Sequence, residues 1–210
     1  MNHRAVVGLV GLPGSGKSTV ASFLDRRGAR VLDADRLGHD LLQKGTEEYA
    51  RLVELLGDRI LAEDGMIDRS EVASLVFQDR TLLEGLNRIV HPRMIDRIRS
   101  EIRKHRRGES GSEPILVIDA ALLLEWGLGE EVDEVVVVTA PPEMRARRVN
   151  RLRGWTKTEM QNREEAQWSE EQKTLRATQT IDNNGTIADL EDRVAQLWRR
   201  LQTRARIDRK

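Results

Sequence analysis

The sequence predicts an α/β fold built on a parallel sheet, and three observations carry that prediction. A short apolar run (residues 5–10) breaks into a glycine-rich loop and then a helical pattern, and a second apolar run follows near residues 29–32. That order, within thirty-odd residues, is a strand–loop–helix–strand unit. Two further apolar runs, at 115–119 and 135–139, have the unbroken character of strands buried on both faces. Aromatic residues are only 3% of the 210-residue chain against 39% apolar, so aliphatic side chains must fill the core.

Taken in order, residues 5–10 read as the first strand and 17–27 as a helix with Val20, Ala21, Phe23 and Leu24 inward, ended by Gly28. The second strand stops at Asp33-Ala34-Asp35. From 36 to about 107 the texture changes: Leu52, Leu55 and Leu56, then Val72, Leu75 and Val76, then Leu82, Leu83 and Leu86 recur at helical spacing. Gly57, Gly65 and Pro92 punctuate this stretch, which predicts three or four helices. A solvated loop, 104–114, leads back to the strand at 115–119. After the strand at 135–139 come a basic helix over 143–152, a hinge at Gly154, helices over 158–166 and 169–177, a short strand at 180–182 and a closing amphipathic helix over 187–201. The charged tail from Thr203 is expected to fray. The expected organisation is one domain: a core of 1–35 and 114–210, a helical insertion over 36–113, and a lid at about 145–167.

Composition narrows the function. Lys plus Arg and Asp plus Glu balance at 35 each, so no overall field draws in nucleic acid or an anionic membrane. The chain has no cysteine, which excludes disulfides and thiol chemistry. No leader and no membrane span are expected, and the expected location is cytoplasmic.

Gly11-Leu12-Pro13-Gly14-Ser15-Gly16-Lys17-Ser18 fits G-x-x-x-x-G-K-[ST] in full, between a predicted strand and a predicted helix. Glycines let main-chain N–H groups turn inward around phosphate oxygens, Lys17 reaches the β- and γ-phosphates, and the Ser18 hydroxyl suits Mg²⁺. The helix that follows adds its positive dipole end. The alternative, a glycine turn with a solvated lysine, does not account for this context. Asp33 and Asp35 fall where the second strand ends, on the edge where open α/β sheets gather ligands. One carboxylate there can take a proton from an attacking hydroxyl and the other can hold Mg²⁺ through water; alternatively the two cap the next helix. Asp119 closes an apolar strand in the manner of a Walker B acid. Arg145, Arg147, Arg148, Arg151 and Arg153 crowd one short helix and its exit, of which one or two are expected to meet phosphate and the rest solvent. His91 before Pro92 reads, on residue type alone, as a helix-end structural residue. Together these residues point to an ATP-dependent kinase acting on a hydroxyl of a small molecule.

With those residues in view, the chain resembles the bacterial dephospho-coenzyme A kinases over nearly its whole length. The resemblance rests on the phosphate loop with Thr19, the Asp33-Ala34-Asp35 triplet, Asp64-Gly65, Asp68-Arg69 and Phe77. It continues through Leu86-Asn87, Val90-His91-Pro92, Asp119 with Leu122-Leu123 and Glu125, Gln167 with Lys173, and Ile181-Asp182-Asn183-Asn184-Gly185. It implies a P-loop NTPase fold, three layers α/β/α with a five-stranded parallel sheet, a helical acceptor-binding insertion and a lid. It implies transfer of phosphoryl from ATP, with Mg²⁺, to the ribose 3′-hydroxyl of dephospho-CoA. Carried over residue by residue, Asp35 is the base or hydroxyl-orienting acid with Asp33 beside it, and Lys17 and Arg148 serve the transferring group. Leu12, Pro13, Gly14, Ser15, Gly16, Lys17, Ser18, Thr19, Arg148, Arg153 and Asn183 face ATP. Asp35, His91, Leu122 and Glu125 face the acceptor, and Ser18 binds Mg²⁺ with Asp33 and Asp119 acting through water. A monomer with no nucleic-acid or membrane partner is expected. The chain departs from the family in having Val10 for Thr, Leu12-Pro13 for Gly-Ile and Ala121 for Pro. The runner-up is a nucleoside or nucleoside-monophosphate kinase on the same core. A GTPase-like switch is disfavoured because no N-K-x-D occurs.

Overall fold

The computed structural model describes residues 4–207. Strand β1 (Ala5–Val10) is buried along its whole length, as is β3 (Ile115–Asp119). β2 (Arg30–Asp33), β4 (Glu134–Thr139) and β5 (Gln179–Asp182) complete one five-stranded sheet in the order β2-β3-β1-β4-β5, every pairing parallel. The five strands fall where the apolar runs predict them, with ends moved by one residue at β2, β4 and β5.

The two central strands are unbroken apolar runs because helices cover both faces of a parallel sheet. On one face, Val7, Leu9, Val136 and Val138 pack with Phe23 and Leu24 of α1 (Lys17–Asp25) and with Leu190, Val194, Leu197 and Leu201 of the closing helix (Ile187–Ile207). That closing helix continues past Thr203, where fraying was expected, while residues 208–210 lie outside the described part. On the opposite face Gly8 leaves room for Leu123: a Cβ there would stand 3.0 Å from both Leu123 methyls.

The chain divides into two compact units, one formed by 1–33 with 100–210 and the other by 34–99. The smaller unit holds α2 (Ala34–Leu41), α3 (Glu47–Leu56), α4 (Arg69–Gln78) and the first part of α5 (Arg80–Arg107). Thr46 caps α3 by accepting from the Tyr49 amide, and Asp68 caps α4 by accepting from Ser70 and Glu71. Pro92, which the sequence suggests as a break, lies inside α5. Proline removes one N–H and crowds the preceding turn, yet this helix runs on for 28 residues. Its last turns belong to the sheet unit: Ile102 is buried and Glu101 holds Arg30 at 2.5 Å. The boundary between units therefore falls inside α5 rather than in the loop at 113.

Three further helices complete the sheet unit, α6 (Pro142–Arg153), α7 (Lys157–Glu165) and α8 (Glu170–Thr174), with α9 being the closing helix Ile187–Ile207. Capping boxes open α7 (Thr156 with Glu159) and α8 (Ser169 with Gln172). Gly154, at φ 67°, ends α6 in the left-handed conformation that suits glycine.

Candidate active site

Strands β1 and β3 are neighbours, but the chain leaves them in opposite directions. From β1 it runs to β2, beyond β3; from β3 it runs to β4, beyond β1. Such a switch point, at the carboxyl ends of parallel strands, opens the crevice in which α/β proteins bind ligands. Lys17 and Asp119 meet there, the ammonium hydrogen-bonded to Asp119 Oδ1. An ammonium has three donors, so this contact leaves Lys17 two for phosphate oxygens.

The loop from Gly11 to Ser18 turns from β1 into α1 around two glycines with positive φ, Gly14 at 77° and Gly16 at 97°. A Cβ on Gly14 would also strike the Arg145 carbonyl oxygen at 2.5 Å. Gly16 is the N-cap, so the amides of Gly16, Lys17 and Ser18 open α1, where main-chain N–H groups have no acceptor within the helix. Ser15 is fully buried, and its Oγ has no hydrogen-bond partner.

The loop is braced from the β4–β5 side. Asn183, almost fully buried just past β5, donates from Nδ2 to the Ser15 carbonyl at 2.7 Å. Arg148 donates to the Gly14 carbonyl at 3.3 Å and to the Asn183 carbonyl at 3.0 Å. Burial pushes the Arg148 guanidinium down from a value so high that it stays charged. Met144, Arg147, Arg148 and Arg151 share one side of α6 and line a cavity of about 340 Å³. The two ATP candidates Arg148 and Asn183 thus touch the phosphate loop itself. Arg153 lies instead at the exit of α6, over the Trp155 ring at 5.0 Å, with Arg163 over the same ring at 3.8 Å.

Sequence reasoning did not single out Arg145 from its neighbours. It is 4% exposed, donates to the Ala140 carbonyl at 3.1 Å and forms an ion pair with Glu164 of α7. Glu164 carries no motif signal, so nothing in the chain's order marks the pair. On the same side a second cavity, about 210 Å³, is lined by Thr139, Ala140, Pro141, Pro142, Glu170, Asp182 and Asn184. Burial pushes the Glu170 carboxyl up, against the pull of Arg145 and the Ala140 amide; Glu164 and Asp182 add to the rise.

Across the switch point, Asp33 and Asp119 are register partners on adjacent parallel strands. Directly paired residues present their side chains to the same face of a sheet, so the two carboxylates stand side by side at its carboxyl edge. Among the described residues no three of His, Cys, Asp and Glu gather as a metal cage. A Mg²⁺ that arrives with nucleotide needs only one or two protein oxygens beside phosphates and water. The exposed Ser18 hydroxyl in the first turn of α1 and the Asp33–Asp119 pair are hard oxygen donors of that kind.

The loop after Asp119 carries Leu122 and Glu125. Glu125 faces inward: Oε1 accepts from the Lys173 ammonium at 2.7 Å and from the Trp168 amide at 2.7 Å, while Oε2 is buried. Leu122 is half-buried. In the helical unit, Asp35 is exposed in the first turn of α2 and near enough to Arg69 to pull that guanidinium up against the stronger downward push of burial. His91 is half-buried within α5, and burial lowers its pKa.

A complete phosphate-binding loop on a parallel sheet, with a lysine and a strand-end aspartate meeting at the switch point, defines a P-loop kinase-type fold. The family model for dephospho-CoA kinase matches residues 5–189. A dephospho-CoA kinase of Thermobifida fusca is 39% identical over 198 residues, covering 94% of this chain and 96% of that protein. One of Geobacter sulfurreducens is 39% identical over 193 residues, covering 92% and 96%. A crystal structure from Thermus thermophilus superposes with a TM-score of 0.75 at 34% identity, covering 95% of this chain and 98% of its own. The chain belongs to the dephospho-CoA kinase family.

Proposed function

We propose that this protein transfers the γ-phosphoryl group of ATP to the ribose 3′-hydroxyl of dephospho-CoA, giving CoA and ADP. The observation that carries the reading is the meeting of Lys17 with Asp119 at the switch point beside an α1 N-terminus whose amides are open. Anionic phosphates are stabilised there by main-chain N–H groups, the helix dipole and the Lys17 ammonium together. Lys17 serves the β- and γ-phosphates, and Arg148, placed against the same loop, stabilises charge on the moving group. Leu12, Pro13, Gly14, Ser15, Gly16, Ser18 and Thr19 form the rest of the cradle, with Asn183 and Arg153 on the nucleotide side. Asp35 orients the attacking hydroxyl and takes its proton, and Asp33 assists. Ser18 would hold Mg²⁺ directly and Asp33 and Asp119 through water, and the ion would supply charge neutralisation for the phosphates.

His91, Leu122 and Glu125 serve the acceptor, the last two from the 121–125 loop. Glu125 acts through the loop it anchors, since its carboxylate is turned into the protein. Residues of about 145–167 form a lid that excludes water. On this reading the protein works as a cytoplasmic monomer. Among the described residues no helix is long and apolar enough to cross a membrane.

A coupled ADP-release assay tests the reading, with dephospho-CoA, AMP and uridine as separate acceptors. ADP release that depends on dephospho-CoA and is absent with the other two is the expected result. Turnover of AMP or uridine without dephospho-CoA activity would move the chain to another acceptor class.

A further inference from the structure

Among the described residues Lys173 has the largest fully buried side chain, and it sits on the five-residue helix α8. Taking an ammonium out of water is costly unless it is paired and hydrogen-bonded. Lys173 is both: Nζ donates to the Ala121 carbonyl at 2.6 Å and to Glu125 Oε1 at 2.7 Å. The same Glu125 oxygen accepts from the Trp168 amide, which leads into α8. Burial pushes the ammonium down, the Glu125 carboxylate pulls it back up, and the charge of Lys17 is close enough to lower it further.

A buried ion pair adds little stability over well-packed apolar side chains. What this pair does is fix a loop. Residues 121–125 begin two positions after Asp119, the partner of Lys17. Leu123 within them is fully buried and seated on Gly8. The ties at Ala121 and Glu125 hold the loop on both sides of Leu123, just after Asp119, which is in register with Leu9 and Asp33. The nucleotide side has its own braces, Arg148 and Asn183, which hydrogen-bond to the phosphate loop and to each other.

We propose that Lys173 is a positioning residue: through Ala121 and Glu125 it holds the 121–125 loop in the form that receives the phosphoryl acceptor. This rests on the reading that the acceptor lies against that loop.

The experiment uses the full chain as wild type, Lys173→Met and Lys173→Met/Glu125→Gln; the double variant removes both buried charges, so that neither is left unpaired. Thermal melts establish folding. Steady-state rates are measured with dephospho-CoA varied at saturating ATP, and with ATP varied at saturating dephospho-CoA. The expected result is a KM for dephospho-CoA raised about tenfold or more in the folded double variant, with the KM for ATP within about twofold of wild type. Wild-type values for both, or a parallel rise in both, would overturn the positioning role. If neither lysine variant folds, Glu125→Gln alone decides: a rise confined to the acceptor KM supports the role and an unchanged KM defeats it. A wild type that turns over ATP but not dephospho-CoA defeats the functional reading instead, and the two failures are told apart by the wild-type control.

Discussion

Single residues at this site act through a few strong, directed contacts. Lys17 is 15% exposed and Asp119 6%, and each is the other's counter-charge at the strand ends. On the proposed mechanism Lys17→Ala removes a donor to the transferring phosphates, for which losses of about 10²–10³ in kcat are typical. We expect at least that loss, with the far-ultraviolet circular dichroism unchanged. Activity near wild type would take Lys17 out of the mechanism. Glu170 makes a separate prediction. Its folded pKa is raised above the unfolded value by burial, so the native state binds more protons than the unfolded chain between those two values. Stability contributed by this group is therefore present at low pH and lost as pH rises through the raised pKa. Glu170→Gln cannot ionise, so the variant should be more stable than wild type above that window and lose the advantage below the unfolded pKa. Urea melts at pH 4 and pH 7.5 read the difference, and an equal gain at both values would detach the effect from ionisation.

At the scale of elements, the notable join is between α6 and α7, where buried Arg145 pairs with Glu164. Removing one partner of a buried pair strands the other, at about 3–5 kcal/mol. Arg145→Met should destabilise the sheet unit by that order in denaturant melts, and adding Glu164→Gln should restore much of the loss. Additive losses in the double variant would show that the two residues act independently. The pair also marks where reading the chain stops. The five strands were legible because buried parallel strands are short, unbroken aliphatic runs, and the phosphate loop because its backbone demands glycines at fixed spacing. The strand-end positions of Asp33 and Asp119 were legible for the same reason, since both are acids that close apolar runs. The continuity of α5 through Pro92 was not legible, because proline's local penalty is written in the chain while the packing of Met94, Ile98 and Ile102 that outweighs it is tertiary. Nor was the inward turn of Glu125, which depends on Lys173, a residue 48 positions away.

On the scale of the whole molecule, the chain divides into a sheet unit and a helical unit, and the proposed reaction draws residues from both. Arg148 and Asn183, which brace the phosphate loop, and Asp119, the partner of Lys17, belong to the sheet unit. Asp35, Arg69 and His91 belong to the unit formed by 34–99. A ligand stabilises what it binds by RT ln(1 + [L]/Kd), about 2.7 kcal/mol at a hundredfold excess over Kd, and that free energy appears as slower amide exchange in the segments it holds. Mg·ATP alone should therefore slow exchange in 11–19 and around Asn183 while leaving 34–99 close to its free rate. Adding EDTA should remove most of that protection if Ser18 and the two strand-end aspartates act through the ion. Dephospho-CoA should then add protection in 34–99 and in 121–125, and Lys173→Met should weaken the second more than the first. Acceptor-dependent protection confined to the sheet unit would show that the helical insertion takes no part in binding, and would leave Asp35 without a role in orienting the hydroxyl.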